Sequence, residues 1–338
     1  MSAVAAGSRT GRVARLLSGR SAVDFIGRSR RWALVSLALV VVSLAGLGVR
    51  GLNFGIDFTG GTVFVVTSAT RDFTAEQVRA ALAELGVDEV QAQIVEDGQG
   101  LRVSTPALAE IGGRRQRTIL DRVAAITGVD PARVVVSAVG PRWGAEVSGQ
   151  ALRGLGVFLV LVAAYITVRF ELRMAAAALV TLLHDVLVTV GVYAIVGFQV
   201  SPASVIAFLT ILGYSLYDTV VVFDRVREDT ASLASTSTAT YGEVANRALN
   251  RMLVRSLSTS VTSLLPVGSL LFVGANLLGA DTLSDLALAL FVGMAVGTYS
   301  SVFVATPFLV WLKEREPRYA ELRARVLSRR SGTPRERA

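Results

Sequence analysis

Asp218 stands fifteen residues after Ala203 in a run, 203–223 (ASVIAFLTILGYSLYDTVVVF), that is otherwise uncharged. At 1.5 Å per residue the run is long enough to cross a bilayer as a helix. A charge left in hydrocarbon costs at least about 2.5–3.5 kcal/mol, so such a carboxylate is paired, protonatable or both. Three further residues belong to the same chemistry: Asp185 and the chain's one histidine, His184, in the run 174–198, and Arg255 at the head of another apolar run. An arginine beside a carboxylate favours its charged form while burial disfavours it, and that opposition is what a proton-carrying ion pair needs. Counting from the outer end of each run puts Asp218 at about 24 Å, Arg255 at about 27 Å and Asp185 at about 20 Å, one slab towards the cytoplasmic side. Plainer readings stand beside this one. Arg247, Arg251 and Arg255 recur every four residues, the spacing of an interfacial arginine ladder. Asp218 can serve as a helix-packing hydrogen-bond partner, and His184–Asp185 as a satisfied core pair.

The elements that must hold these residues are membrane helices. Hydrophobic residues make up 52% of the 338 and charged residues only 18%, the balance of a polytopic membrane protein. Six apolar runs predict spans at 32–49, 149–168, 174–198, 203–223, 251–273 and 284–312, with a cytoplasmic loop at 224–250. Seven arginines precede the first span and nine basic residues follow Leu312, whereas the connection 199–202 carries none. Short cytoplasmic loops collect Lys and Arg, so the expectation is that both basic tails, 1–31 and 313–338, are cytoplasmic and meet anionic lipid. The first run is longer than the apolar core of a signal peptide and lacks a small-residue cleavage site, so it reads as a retained span. Ser256, Thr259, Ser260 and Ser263 form a polar face on the fifth span, and Gly293 with Gly297 a close-packing pair on the sixth. The Ser/Thr-rich stretch 231–240 reads as a flexible link.

Residues 50–148 form the predicted external domain. From Arg50 to Arg153 there are 11 basic and 12 acidic residues, so the +8 of the whole chain lies on the membrane and cytoplasmic segments. That asymmetry follows from topology and argues against nucleic-acid binding. Strands are predicted at 62–69, 90–96, 100–104 and 134–139, with helices at 74–85, opened by a Thr74/Gln77 capping box, and 113–126. The order is the βαββαβ of a ferredoxin-like unit. The turn 97–99 joins the middle strands. Gly60-Gly61 reads as a turn before the first strand rather than a phosphate cradle. With no cysteine in the chain and no metal-ligand spacing, neither disulfides nor a metal site is expected, and no catalytic motif marks an enzyme.

Three stretches resemble the SecF family, the smaller membrane subunit of the SecDF accessory complex of bacterial protein export. They are FGIDFTGGT at 54–62, GYSLYDTVVVFDRVRE at 213–228, and the looser ALNRMLVRSLSTSVT at 248–262. The resemblance implies a six-helix half of an RND-type transporter, completed by SecD beside the SecYEG channel. It implies further that the complex uses the proton-motive force to draw out the preprotein that SecA has driven in, with protons as coupling ion and no other cofactor. On the matching positions it makes Asp218 and Arg255 the proton-coupling pair and His184 with Asp185 a possible relay; Gly55, Asp57, Gly60 and Gly61 are structural motif residues. One departure is visible: Tyr217 occupies the place before the aspartate where family members carry Asn or a similar polar residue. Two rival functions are a passive scaffold for the translocon and half of a small-molecule or lipid transporter.

Overall fold

The structure is a computed structural model, described at residues 23–67, 69–87, 90–95, 100–106, 113–233, 239–276 and 281–331. The turn 97–99, the first 22 residues and part of the 231–240 link lie outside the described residues.

Among the described residues, six helices are long and apolar enough to cross a membrane. Helix α1, Ser29–Arg50, ends at Gly51, whose φ of 67° lets the chain turn out of the helix. A two-residue strand β1 (Asn53–Phe54) and a single helical turn α2 (Ile56–Thr59) follow. The sheet domain comes next: β2 (Gly61–Val66), α3 (Ala75–Ala83), β3 (Gln91–Val95), β4 (Gly100–Thr105), α4 (Arg114–Thr127) and β5 (Val135–Val139). Its sheet runs β3-β4-β2-β5 with every pairing antiparallel, so the first strand lies in the middle beside the third and fourth, the ferredoxin-like order. The Thr74/Gln77 capping box opens α3. One face of the sheet is covered by the two helices, and Phe64, Leu82, Leu101, Val103, Ile119 and Val123 are fully buried between the layers.

Helix α5, Pro141–Arg169, leaves the sheet domain without a break and becomes the second span. The proline sits in its first turn, where a missing N–H costs nothing. Helix α6 (Leu172–Val196) and α7 (Pro202–Thr230) flank the two-residue strand β6 (Gln199–Val200). Helix α8 runs Tyr241–Asn276. Helix α7 reaches Thr230 and α8 begins at Tyr241, so much of the expected 224–250 loop is helical. The last span is not one continuous helix: α9 (Asp281–Ser300) passes through a π-turn at Ser301–Ala305 into α10 (Thr306–Lys313). Pro307 has no N–H to offer the carbonyl of Phe303, and the helix widens just before it. The expected basic tail is also partly helix. α11, Pro317–Ser331, packs Tyr319, Leu322 and Val326 into a core shared with α5–α8 and α10.

The sheet domain is stitched to one end of the bundle. β1 pairs in parallel with β6, and the Gly55 amide donates to Val200 O at 2.8 Å. Arg50 donates to Ile195 O. Gly144 of α5 sits against the α2 turn, where an added Cβ would lie 2.6 Å from Phe58 O.

Candidate functional site

Halfway through the bundle α6, α7, α8 and the α9/π junction bring carboxylates and hydroxyls together. Asp218 of α7 accepts from Ser256 Oγ of α8 at 3.0 Å and from Ser301 Oγ of the π-turn. Asp185 of α6 lies 3.1 Å from His184 Nδ1 and accepts from Ser300 Oγ at 2.8 Å and from Ser215 Oγ, which lies one turn before Asp218 on α7. Asp185 and Ser300 are buried, and His184 is 7% exposed. The His184 ring lies 6.4 Å from that of Tyr299, whose hydroxyl bonds Ser36 of α1 at 3.0 Å.

Close approach of α9 to α7 permits this. Gly293 faces Ile211, leaving no room for a Cβ, and a Cβ on Gly297 would lie 3.0 Å from Ser215 Cβ. The π-turn then shifts the phase of the last span so that the consecutive residues Ser300 and Ser301 reach different carboxylates.

The expected Asp218–Arg255 ion pair does not form in this structure. Arg255 is exposed and, among the described residues, makes no ion pair. The reason is helical phase. Consecutive residues are about 100° apart around an α-helix, and α8 turns Ser256 and Ser260 inward, 3% and 4% exposed. Arg255 therefore falls on the outer surface, in a stripe with the exposed Ser258 and Thr262. Asp224, towards the C-terminal end of α7, pairs with Arg169 at 3.1 Å rather than with its neighbour Arg225.

The hydroxyls were the residues that sequence reasoning left out. Ser256 belonged to a noted polar face, but Ser215, Ser300 and Ser301 had no signal beyond polarity within an apolar run. The glycine motif is a joint: Gly55 bonds Val200 O, Gly60 closes α2 at φ 72°, and Gly61, at φ 152°, abuts Thr105 O where no side chain fits. Asp57 lies in the first turn of α2.

A cavity of about 470 Å³ lies between α5, α6 and α7. Leu52, Phe54 and Phe58 line it near the sheet domain, Leu152 and Thr189 line its walls, and Asp185 lies at its deep end.

The chain matches two family models: protein export membrane protein SecD/SecF, C-terminal, over residues 119–315, and the SecD/SecF GG motif over 45–70. It is 43% identical to the protein translocase subunit SecF of Streptomyces coelicolor over 94% of this chain and 84% of that one. Against SecF of Mycobacterium tuberculosis H37Rv it is 43% identical over 95% of this chain and 74% of that one. It superposes on the crystal structure of SecDF, a translocon-associated membrane protein from Thermus thermophilus, with TM-score 0.74 and 32% identity. The match covers 87% of this chain and 39% of that one, so the chain spans about two fifths of the solved SecDF. With six spans and these relatives it is a multi-pass membrane protein. With a GG motif at the joint between bundle and sheet domain and a C-terminal match that covers the carboxylate centre, this chain belongs to the SecD/SecF family of protein export membrane proteins.

Proposed function

We propose that this chain is the SecF-type half of the Sec export machinery in a bacterial cytoplasmic membrane, with both termini cytoplasmic, and that with a SecD half it uses the proton-motive force to assist preproteins across. Its role is transport rather than catalysis. The observation that carries the reading is Asp218: a carboxylate inside a membrane span, held by the hydroxyls of Ser256 and Ser301, with no cation paired to it among the described residues. Protonation removes its charge, and each elementary charge crossing the field is worth about 2.3 kcal/mol per 100 mV, enough to bias two packings of a helix pair.

Two features support a SecD partner. The chain matches about two fifths of longer SecDF chains. The exposed stripe of Arg255, Ser258 and Thr262 lies on a membrane span, where an uncovered guanidinium is costly. A second half of the assembly would cover it and supply the carboxylate that Arg255 lacks here. The sheet domain, tied to α1 and α5, would move with them and grip or release the preprotein between SecYEG and the outer side. Exposed arginines of the basic segments would rest on anionic lipid.

The test is pulse-chase export of a secreted protein in cells whose only copy is wild type or Asp218→Asn, with SecD co-purification measured alongside. Precursor accumulation with an intact complex is expected. Normal export by that variant would replace proton coupling with a scaffold role.

A further inference from the structure

At the end of the bundle away from the sheet domain, a cavity of about 160 Å³ lies where α6 begins, α7 ends, α8 begins and α10 gives way to α11. Its wall is charged and polar. Glu171 stands just before α6, Arg227 and Thr230 come from the last turn of α7, Tyr241 opens α8, and Lys313 and Arg318 lie on either side of the α10–α11 corner. The charges here do not balance. Lys313, 2% exposed, pairs with Glu171 and with Glu316, the latter at 3.2 Å, and Arg173 holds Glu316 at 2.9 Å. Those two carboxylates are thus already met by two cations. Arg227 and Arg318 bring two more, both exposed and neither in an ion pair among the described residues. Arg227 donates to the Arg169 carbonyl at 3.3 Å, and the Arg318 guanidinium lies 5.4 Å from the Tyr319 ring centre.

The tyrosine that lines this cavity is a second, independent sign. Tyr241 is 1% exposed, yet its hydroxyl has no hydrogen-bond partner among the described residues. Thr230 on the same wall gives its proton to Val226 O at 2.8 Å, so it has none for Tyr241. Buried hydroxyls are hydrogen-bonded in the large majority of cases, and an unmatched one in a polar cavity marks the place of a partner from outside the chain. Guanidinium, ammonium and phenol groups are all donors, and with positive charge in excess they select an oxyanion. Arginine forks match phosphate in particular. The volume limits the ligand further. It is below the roughly 300–1,000 Å³ that encloses a drug-sized molecule, so the cavity admits a phosphate group and leaves the rest of its carrier outside.

We propose that this corner is a phosphate-binding site, in which Arg227 and Arg318 hold the oxyanion, Tyr241 donates to it from within, and the buried Lys313 adds to the positive field. The bound group ties the end of α7 to the start of α11. A free phosphate and the headgroup of an anionic phospholipid present the same chemistry to these donors. The inference stands apart from proton coupling at Asp218 and does not depend on it.

The experiment is isothermal titration of inorganic phosphate into the delipidated full chain in detergent at fixed ionic strength, repeated in nanodiscs of zwitterionic lipid with and without phosphatidylglycerol. Wild type is compared with Arg227→Gln/Arg318→Gln, with Tyr241→Phe, and with Arg329→Gln, which removes an exposed α11 arginine that does not line the cavity. Expected is saturable binding by wild type and by Arg329→Gln, about tenfold weaker in Tyr241→Phe and lost in the double glutamine variant. Phosphate affinity kept in the presence of phosphatidylglycerol assigns the site to a soluble phosphate, and affinity lost there assigns it to a lipid headgroup. Both arginines are exposed, and circular dichroism without phosphate checks that the double variant is folded. If it is not, Arg227→Lys/Arg318→Lys, which keeps the charge and loses the fork, takes its place with several-fold weaker binding expected. An absence of saturable phosphate binding in delipidated wild type, or binding that the arginine variants leave unchanged, overturns the proposal.

Discussion

Ser256 Oγ lies 3.0 Å from Asp218 Oδ1, while the adjacent residue on α8, Arg255, is exposed on the other side of the helix. The two should therefore fail differently when removed. Ser256→Ala strips a hydrogen bond from a carboxylate within the bundle and is expected to cost about 1–3 kcal/mol. Arg255→Ala should change the stability of the isolated chain by no more than about 0.5 kcal/mol and instead weaken co-purification with SecD. Thermal unfolding of the purified chain, with a pull-down beside it, separates them; equal destabilisation would mean that Arg255 supports this chain's own fold.

The joint between sheet domain and bundle depends on Gly144. A Cβ there would lie 2.6 Å from Phe58 O and 3.0 Å from the Gly60 amide nitrogen, both backbone atoms that cannot turn aside. Gly144→Ala should destabilise by about 1–3 kcal/mol. Gly154, ten residues on in the same helix, has open space around it, and alanine there should be neutral or stabilising by up to about 1 kcal/mol. Thermal denaturation of the pair is the check, and similar midpoints would show that α2 does not bear on α5.

Lys313, the chain's single lysine, is 2% exposed and lies between Glu171 and Glu316, the latter at 3.2 Å. Removing the buried charge itself should be cheaper than removing its partners. Lys313→Met is expected to cost less than Glu171→Gln with Glu316→Gln, which leaves an ammonium buried without compensation and should cost about 3–5 kcal/mol. Comparing the midpoints of these two variants decides it, with the reverse order refuting the account.

Asn246 and Asn250, one turn apart on α8, hold the segment before α1. Val23 N donates to Asn250 Oδ1 at 2.8 Å, Phe25 N to Asn246 Oδ1 at 2.9 Å, and both side-chain amides donate to Val23 O. Phe25 in turn packs against Phe303 of the π-turn, ring centres 5.6 Å apart. Replacing both asparagines by alanine should speed amide exchange at Val23 and Phe25 about tenfold or more, since each lost bond is worth about 1 kcal/mol. Exchange rates unchanged from wild type would show that Phe25 packing alone secures the segment.

Periodicity made the elements legible. Alternating apolar residues marked β2 and β5, the Thr74/Gln77 spacing marked the start of α3, and the long apolar runs marked all six spans, because strand alternation, capping and bilayer length are local properties of a chain. The carboxylates were legible for a related reason: a charge inside an apolar run is conspicuous whatever surrounds it. Their partners were not. The polar face through Ser256 and Ser260 was legible on α8, but polar residues also lie on its other side at Arg255, Ser258 and Thr262, so the sequence did not say which side meets α7, and packing put Ser256 rather than Arg255 against Asp218. Ser215, Ser300 and Ser301 are ordinary polar residues until α9 approaches α7 along Gly293 and Gly297 and the π-turn before Pro307 sets the phase of the last span. The sequence by itself determined which residues are chemically unusual and which segments carry them. The tertiary structure alone decided which of them meet, because each contact joins helices whose relative rotation and depth are set by packing with the whole bundle.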